Sequence, residues 1–490
     1  MEDLRDFLRI LEEEGELARI SVPLSPELEI TEVTDRVSKG PWELNKALLF
    51  EKVKGYAIPV VTNLFGSPKR MAMALRARDL GELEQRFGNL LNLDSFGRMR
   101  EVLRGGKVLM ELLQAFLPRP RFIRRAPCQE VVRKGRDVRL DELPILRCWP
   151  KDASRYITLG QVVTLDPDSG RRNVGLYRLQ VLDERTLIVH WQRHKGGAEH
   201  ERKARAKGMS RIPCAVVLGG DPAAIWAASA PLPPGVDEYL FASWLRGGPL
   251  EMVRCVSQPI DVPAKAEIVI EGYVDLGDLR EEGPFGDHTG YYTPSEPFPT
   301  MRVTALTMRS DPIYPATVVG VPPMEDYWMG QATERLFLPL IRCVLPEIVD
   351  LHMPPEGVFH NLVLVSIRKH YPGQARKVIF GLWGLGMMSL TKAIVVVDHD
   401  VDVRNPREVA WYVLGNVDWK RDVVIVEGPV DHLDHSCREP SFGGKIGVDA
   451  TRKLPEEGHR RPWPERVGMS EEVKQEIERK WSEILRALRG

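Results

Sequence analysis

Two carboxylates stand five residues apart in a short segment rich in glycine and proline, Glu282-Gly-Pro-Phe-Gly-Asp287-His-Thr-Gly-Tyr-Tyr292. Glycine adopts backbone angles that are closed to other residues and proline fixes its own, so this segment can hold both acidic side chains at one pocket. Two carboxyl groups with separated pKa values can serve as a general acid and a general base near neutral pH. The segment therefore predicts an acid/base loop, and an ordinary surface turn with solvated acids is the alternative.

A second group of polar residues lies upstream, in Asn173-Val-Gly-Leu-Tyr-Arg178 and around His194. These segments lie at the start and end of two consecutive predicted strands, so a hairpin would bring Asn173 and His194 to the same end. Glu238 from a following helix adds a carboxylate to this amide and imidazole, a set that suits Mn²⁺ or Mg²⁺ better than zinc. Arg178 and Lys195 could contact an anion bound there. Taken singly, each residue also has an ordinary structural explanation.

Composition excludes several classes of function. The 490-residue chain has a formal net charge of −1, so no general attraction to nucleic acid or to an anionic membrane is expected. Hydrophobic residues make up 43% and charged residues 28%, as in a globular chain that buries large cores. No apolar run is long enough to cross a bilayer, and the acidic start does not resemble a secretory signal. Peripheral association with a membrane remains compatible with the sequence.

The cysteines indicate the redox compartment. There are six, widely scattered and without C-x-x-C spacing: Cys128, Cys148, Cys214, Cys255, Cys343 and Cys437. This pattern argues against zinc, iron–sulfur clusters and a disulfide framework. We therefore expect a cytoplasmic protein.

The first part of the chain, residues 1–115, is predicted to be an α/β domain. Leu4, Phe7, Leu8 and Leu11 have helical spacing and Gly15 ends that helix. From about Val131 the sequence pattern changes to short apolar runs separated by turns. This pattern predicts a barrel or sandwich over residues 120–315. Within it, residues 166–170 predict a hairpin turn and residues 239–246 a helical insertion.

The remainder returns to alternating helices and strands, predicted as a second α/β domain over residues 316–460. The apolar runs 362–367, 393–397 and 423–426 are typical of a parallel sheet covered on both faces. Residues 468–490 predict a terminal helix with one apolar stripe that includes Trp481. This stripe is expected to dock on another subunit, and packing on the chain's own C-terminal domain is the alternative.

Taken in chain order, the motifs around Asn173, His194, Glu238 and Glu282 resemble those of the UbiD family of reversible decarboxylases, which use prenylated flavin mononucleotide (prenylated FMN). The similarity runs nearly end to end, since motifs outside the site match as well: Asn63-Leu-Phe-Gly-Ser-Pro-Lys-Arg, Arg125-Ala-Pro-Cys-Gln, Pro346-Glu-Ile-Val-Asp and Gly447-Val-Asp-Ala-Thr. The resemblance implies an α+β and α/β multidomain fold, with an N-terminal α/β domain, a central split β-barrel related to flavin reductases, and a C-terminal α/β domain followed by a terminal oligomerisation helix.

The resemblance also implies roles for single residues. Asn173, His194 and Glu238 would bind a divalent metal, typically Mn²⁺, that bridges to the flavin phosphate beside K⁺. Arg178, Glu282 and Asp287 would form the catalytic group. The cofactor contacts would be Leu176, Tyr177, Arg178, His190, Trp191, Gln192, Lys195, Gly196 and Lys392. His190 stands where other members have arginine, so a plain strand residue is the alternative there.

Asp287 is the predicted proton donor. Repulsion from Glu282 is expected to raise the pKa of Asp287, while Arg178 keeps one of the two acids ionised. Asp287 also stands where the branch acting on cinnamic-type acids has glutamate. This difference favours the quinone-pathway branch, with a phenolic or naphthoic acid as the substrate.

The predicted reaction is therefore the non-oxidative decarboxylation of a small aromatic acid in ubiquinone or menaquinone biosynthesis. A 4-hydroxy-3-polyprenylbenzoate or 1,4-dihydroxy-6-naphthoate type of substrate is expected, with a flavin prenyltransferase as cofactor supplier and a dimer or hexamer as the assembly. One alternative is a decarboxylase of another aromatic acid. A nicotinamide-dependent flavin oxidoreductase is a further alternative, although Gly381, Gly384 and Gly386 reverse the dinucleotide fingerprint. The segment Asp431-His-Leu-Asp-His435 could imitate a metal site and is expected to be solvated or interfacial.

Overall fold

The computed structural model describes residues 1–91, 118–192, 195–233 and 235–489. The predicted ligand His194 and the predicted end of the first domain lie outside the described residues. The helices follow the chain as α1 Leu4–Glu13, α2 Glu29–Lys39, α3 Pro68–Ala74, α4 Leu80–Leu91, α5 Gly196–Ala206, α6 Pro222–Ala227, α7 Glu238–Leu245, α8 Glu325–Val344, α9 Gln374–Trp383, α10 Pro406–Asn416 and α11 Glu471–Arg489.

The strands of the described residues belong to five sheets. In chain order they are β1 Leu17–Ile20, β2 Ala47–Phe50, β3 Val60–Thr62, β4 Arg121–Phe122, β5 Val131–Lys134, β6 Tyr156–Ile157, β7 Gln161–Leu165, β8 Arg172–Leu176, β9 Leu179–Asp183, β10 Thr186–Val189, β11 Arg211–Leu218, β12 Glu251–Arg254, β13 Asp261–Pro263, β14 Ile268–Glu282, β15 Phe285–Gly286, β16 Tyr292–Thr293, β17 Glu296–Met308, β18 Tyr314–Pro315, β19 Ile348–His352, β20 Leu362–Ile367, β21 Ala393–Asp398, β22 Val423–Pro429 and β23 Phe442–Asp449.

The N-terminal region packs α1 against a four-stranded sheet of order β1-β2-β3-β18. Helix α1 begins at Asp3, whose side chain accepts hydrogen bonds from two backbone N–H groups of the first turn. The four predicted apolar positions of this helix are all buried, as expected. The fourth strand, β18, comes from the far end of the central region, so the two regions are joined through one sheet.

The central region is built on a nine-stranded sheet of order β6-β9-β10-β17-β14-β11-β7-β8, with β5 paired to β17. The long strands β14 and β17 pair antiparallel and change register at Glu271/Gly272 and Asp275/Leu279. Such bulges bend a strand and increase its twist, and the sheet curls into a half-barrel. The predicted hairpin turn is confirmed, because Leu165 pairs with Arg172 and Gly170 donates to the Asp166 carbonyl at 2.8 Å.

One predicted pairing is wrong. Asn173 lies in β8, which pairs with β7 opposite Thr164. The strand that ends before Trp191 is β10, and it pairs with β9 and β17. The chain forms three strands where the sequence suggested two, because Tyr177 and Arg178 leave the sheet between β8 and β9. Among the described strands, β8 and β10 therefore do not pair as the predicted hairpin.

The C-terminal region is a five-stranded sheet of order β19-β20-β21-β23-β22, packed by α9 on one face and α10 on the other. Strands β20 and β21 pair in parallel and are buried on both faces, as predicted. The prediction is wrong for β22, which is an antiparallel edge strand. Its Ile425 side chain is 76% exposed, because a hairpin through residues 430–441 carries β22 to the rim of the sheet.

Helix α8 connects the central and C-terminal regions. It lies along α4, where Phe337 and Phe87 pack with ring centroids 5.7 Å apart. The apolar stripe of α11 is exposed at Val473, Ile477, Trp481 and Leu488. None of the helices in the described part of the chain combines the length and apolar composition that a bilayer crossing requires.

Candidate active site

Arg178 is clamped between two acids. It follows β8 in the turn to β9, while Glu282 ends β14 and Asp287 follows β15. Its Nε and Nη2 donate to the two Glu282 oxygens at 2.9 Å each, and its Nη1 donates to Asp287 Oδ2. The three side chains are at most 9% exposed. The structure thus brings together the three residues that sequence analysis grouped, in the bidentate geometry that makes arginine–carboxylate pairs strong.

The loop that carries the acids is anchored in the half-barrel. The Gly283 N–H donates to Gln180 Oε1 at 2.8 Å, and the Gly286 N–H donates to Asp152 Oδ1 at 2.8 Å. Gly283 has φ +97°, a conformation that favours glycine. At Gly286 an added Cβ would come 2.2 Å from Trp149 Cδ1, so the indole packs directly on the backbone. The sequence pattern therefore yields a fixed loop in place of a solvated turn.

Both acids are ionised in this arrangement. Burial alone would raise the pKa of Glu282, but hydrogen bonds from His190 and Arg178 lower it to about 2. Burial likewise opposes ionisation of Asp287, yet the charges of His288 and Arg178 hold its pKa well below the ordinary range. The prediction that Glu282 raises the pKa of Asp287 is therefore wrong, because cationic partners outweigh the repulsion between the two carboxylates.

Sequence reasoning missed His288, which directly follows Asp287. Its Nδ1 lies 2.7 Å from Asp287 Oδ1, and its Nε2 lies 3.1 Å from Nε2 of His360 in the C-terminal region. Burial disfavours the imidazolium, but the Asp287 carboxylate raises the pKa of His288 to about 9. The available signal was the Asp-His pair itself, an imidazole adjacent to the predicted proton donor.

The predicted metal ligands Asn173 and Glu238 are neighbours. The N–H of Val174 donates to Glu238 Oε2 at 2.9 Å, and Arg172 Nη2 donates to Asp237 Oδ2 at 2.6 Å. These two contacts dock the start of α7 onto β8. They place the Glu238 carboxylate beside the strand position that carries the Asn173 amide.

This pocket contains buried polar groups. The Asn173 amide nitrogen is buried without a hydrogen-bond partner in the described part of the chain. Burial raises the pKa of Glu238 to about 8, and the hydrogen bond from the Val174 N–H offsets this only in part. An added Cβ on Gly196 would come 1.8 Å from Asn173 Oδ1, so the start of α5 also closes on the pocket. A hard cation would be bound by the Glu238 carboxylate and the Asn173 amide oxygen, whereas the amide nitrogen is a donor that a cation does not satisfy.

The third predicted ligand, His194, lies outside the described residues. Within the described ranges no group of three or more His, Cys, Asp or Glu residues could hold a metal ion. Of the three predicted ligands, His194 lies outside the described residues and Asn173 is not one of these four residue types, which leaves Glu238 alone. The geometry therefore fits two ligands of the predicted site.

A cavity of about 370 Å³ opens between the half-barrel and the C-terminal region. Four predicted cofactor residues line it: His190, Trp191, Gln192 and Lys195. Burial lowers the pKa of Lys195. The C-terminal region contributes Met387, Leu390, Asp431, His432 and Leu433. Because His190 Nδ1 also lies 2.9 Å from Glu282 Oε2, the acid pair stands directly behind the wall of this cavity.

The other predicted cofactor residues take different positions. Tyr177 is buried behind Trp191, with ring centroids 5.1 Å apart, and its hydroxyl accepts from the Gly197 N–H at 3.1 Å. Leu176 pairs with Gln161 inside the sheet. Lys392 forms an ion pair with Asp434 at 2.8 Å and does not line the cavity.

The segment Asp431-His-Leu-Asp-His435 was expected to be solvated or interfacial. The segment 431–435 is interfacial, since His432 Nε2 lies 2.9 Å from Glu296 Oε2 and the His435 ring lies 4.2 Å from that of Tyr291.

Gly381 lies inside helix α9 and Gly384 ends it. A dinucleotide-binding turn lies between a strand and the start of a helix, so these glycines do not form one.

Three family models match successive parts of the chain. They are the N-terminal, Rift-related and C-terminal domains of 3-octaprenyl-4-hydroxybenzoate carboxy-lyase, at residues 8–88, 121–322 and 327–450. The fold and the site thus define a carboxy-lyase. The chain belongs to the UbiD family, which confirms the family and the enzyme class indicated by the sequence.

Individual relatives cover almost the whole chain. A protein of Archaeoglobus fulgidus is 50% identical over 484 residues, covering 99% of this chain and 98% of its own. The UbiD-class enzyme HmfF from Pelotomaculum thermopropionicum, solved with FMN, is 32% identical with a TM-score of 0.80, covering 95% of this chain and 97% of its own. Vanillic acid decarboxylase of Sedimentibacter hydroxybenzoicus, in its closed form, is 28% identical with a TM-score of 0.85, covering 99% of each chain. These matches confirm the predicted fold class.

Proposed function

We propose that this carboxy-lyase removes CO₂ from an aromatic acid with prenylated FMN held in the cavity between the half-barrel and the C-terminal region. The observation that carries the proposal is the position of His190. It lines the cavity and contacts Glu282, so a ligand there lies next to the clamp of Arg178 and the two acids. The structure of HmfF, a 32% identical neighbour, contains FMN, which supports a flavin in the corresponding place.

The cofactor is needed because CO₂ loss from an aromatic carbon leaves an electron pair that ordinary side chains cannot stabilise. Prenylated FMN, when bound, supplies the electron sink. Trp191, Gln192 and Lys195 of the cavity wall would contact it. Asn173, Glu238 and the predicted ligand His194 would hold Mn²⁺, which with K⁺ would compensate the charge of the flavin phosphate. The buried Glu238 carboxyl, which lies beside the strand position of Asn173, supports that assignment.

The protein's own groups handle charge and protons. Arg178 compensates the two carboxylates and fixes their orientation, which keeps Asp287 at one position. Asp287 is the group proposed to give a proton to the carbon that loses CO₂. Because its pKa lies well below the ordinary range, its carboxylate must first take up a proton.

We expect the substrate to be a phenolic or naphthoic acid of the quinone pathways, of the 4-hydroxy-3-polyprenylbenzoate or 1,4-dihydroxy-6-naphthoate type. The aspartate at position 287 supports this choice over cinnamic-type acids. A second candidate is an aromatic acid outside quinone biosynthesis. It is favoured by the similarity, at a TM-score of 0.85, to a decarboxylase of vanillic acid, which is itself phenolic.

The test is to produce the protein with and without a flavin prenyltransferase and to measure CO₂ release from these two acids and from vanillic acid. We expect a flavin absorbance band in the purified protein and CO₂ release only after co-production. Activity in flavin-free protein would contradict the proposal. Tight NADH binding with hydride exchange would support the nicotinamide alternative instead.

The same proposal includes a cytoplasmic homo-oligomer, a dimer or hexamer, that assembles through α11. The support is the exposed apolar stripe of this helix and six cysteines that are all free. Removal of residues 468–490 should lower the number of subunits per particle, as measured by light scattering. Glu478→Gln, which removes only an exposed charge, should leave that number unchanged. An unchanged number of subunits after the truncation would contradict this mode of assembly.

A further inference from the structure

His288 lies where the central region meets the C-terminal region. It belongs to the acid loop of the central region, and its ring lies 5.5 Å from the Phe359 ring and contacts His360, both from the C-terminal region. Its side chain is 15% exposed. The contact with Asp287 therefore lies in a closed environment, where electrostatic interactions are stronger than in water.

Charged groups face His288 from each packed element. Asp287 lies on its own loop, Asp326 stands at the start of α8, and Asp431 comes from the segment before β23. The cationic Arg178 lies on the far side of Asp287. The acids outnumber the nearby arginine, so the surroundings favour a protonated imidazole. Burial opposes this, and the pKa of His288 still rises to about 9.

His360 has the opposite state. Burial lowers its pKa, the Asp431 carboxylate at 3.9 Å counteracts this in part, and the charge of His288 lowers it further, to about 4. Near neutral pH a protonated His288 thus faces a neutral His360. A protonated imidazole has two N–H donors, and a neutral one has a single acceptor nitrogen. His288 therefore donates from Nε2 to His360 Nε2 and from Nδ1 to Asp287 Oδ1.

We propose that His288 is the proton source for Asp287, and that His360 positions it by holding its Nε2–H so that the proton leaves from Nδ1. In each turnover the Nδ1 proton moves to Asp287 Oδ1, and Asp287 passes it to the carbon that has lost CO₂. Asp287 is then again a carboxylate and His288 is neutral. One proton from water restores His288, so each substrate carboxylate yields one CO₂ and takes up one solvent proton.

This inference rests on the proposed function, and it explains how an acid that is ionised in the folded protein can still protonate a carbon. Asp287 alone stays ionised at neutral pH, because Arg178 and His288 both stabilise its charge. When His288 transfers its proton, one of these two stabilising charges disappears at the same moment. The pKa of Asp287 is thereby raised when the proton arrives.

The first experiment compares the cofactor-loaded wild type with His288→Gln, which keeps an N–H donor for Asp287 but carries no transferable proton. We expect kcat to fall by about 10²-fold, as for loss of a general acid–base group, with KM changed by less than about threefold. The wild-type kcat should decline as pH rises through about 9, and this decline should vanish in the variant. The control is His399→Gln at an exposed surface position.

The second experiment tests the positioning by His360. His360→Gln still offers an acceptor to His288 and should keep kcat within about threefold, whereas His360→Phe offers none and should lose about tenfold. Equal kcat values for these two variants would overturn the role of His360. A merely structural role of this side chain would not produce rescue by glutamine alone.

A readout without cofactor uses protein labelled with carbon-13 at the histidine Cε1. The signal assigned through His288→Gln should titrate near pH 9 in the wild type and at a lower pH in Asp287→Asn. Titration of His288 below pH 7, or an active His288→Gln with an unchanged pH profile, would overturn the inference while the proposed function stands. A wild type that retains no flavin and releases no CO₂ would overturn both.

Discussion

Two regions of the site differ in how their buried charges are compensated. In the acid clamp, Arg178 binds Glu282 and Asp287, and every one of these charges has a partner within the chain. In the pocket of Asn173 and Glu238, the Glu238 carboxyl accepts a hydrogen bond from the uncharged Val174 N–H, and burial raises its pKa to about 8. Both regions are buried, so the difference lies in the partners rather than in exposure.

The comparison separates what the protein builds alone from what it leaves for a ligand. A buried polar group without a partner costs about 1–3 kcal/mol, and folded chains rarely retain such groups without a reason. The clamp is complete before anything binds, as expected of groups that must hold a fixed geometry. We propose that a cation bound to the Glu238 carboxylate completes the pocket, as expected of a binding site.

The largest effect should come from the clamp. Asp287→Asn keeps the shape of the side chain but cannot carry a transferable proton, so we expect kcat to fall by about 10³-fold or more. Cofactor retention, measured by flavin absorbance, should match the wild type because the Asn173–Glu238 pocket is untouched. Glu281→Gln, at an exposed position near the end of β14, is the control. Loss of flavin in Asp287→Asn would mean that the two regions are not separate.

A rise in pH should lower the stability of the folded protein even when no ligand is bound. In the folded chain the pKa of His288 rises from 6.5 to about 9, so its contribution to stability is fully present below pH 6.5 and is lost as pH rises through 9. The pH-dependent part is at most about 3 kcal/mol. Urea unfolding of the wild type and His288→Gln should therefore differ most at pH 6 and least at pH 9.5. A difference that grows with pH would contradict the assigned ion pair.

The next effect should come from the pocket. Glu238→Gln removes one cation ligand, so we expect retention of the cofactor and of Mn²⁺ to fall about 10- to 100-fold. Turnover per bound flavin should stay close to that of the wild type. The measurements are metal analysis and flavin content after gel filtration, again with Glu281→Gln as the control. Full retention of both ligands by Glu238→Gln would remove this pocket as the anchoring site.

The smallest effect should come from Lys392, whose charge is compensated by Asp434 at 2.8 Å. If Lys392 contacts the flavin phosphate, it must leave this partner. Asp434→Asn should then tighten FMN binding about two- to threefold, because less ion-pair energy is given up. Asp400→Asn, which removes an exposed acid elsewhere in the C-terminal region, should leave the dissociation constant unchanged. Weaker binding by Asp434→Asn would place the phosphate away from Lys392.

Several features followed from the sequence because their causes are local. The turn at residues 166–170 and the buried face of α1 depend on residues adjacent in the chain, and both were predicted correctly. The Arg178, Glu282 and Asp287 set was grouped through an ordered series of motifs, and the structure brings these residues together. Its roles in catalysis stay a prediction.

Other features required the tertiary structure because they depend on distant segments. Whether an apolar run becomes a central or an edge strand depends on its neighbours, which is why β22 was assigned wrongly. The pKa of Asp287 depends on burial and on the charges of His288 and Arg178, and the sequence does not contain the distances between these groups. The pairing of His288 with His360 joins residues 72 positions apart. The sequence by itself thus determined which chemical groups the site contains and the family to which the chain belongs. Only the tertiary structure decided which of those groups are charged, since Coulomb interactions and burial are set by distances in space.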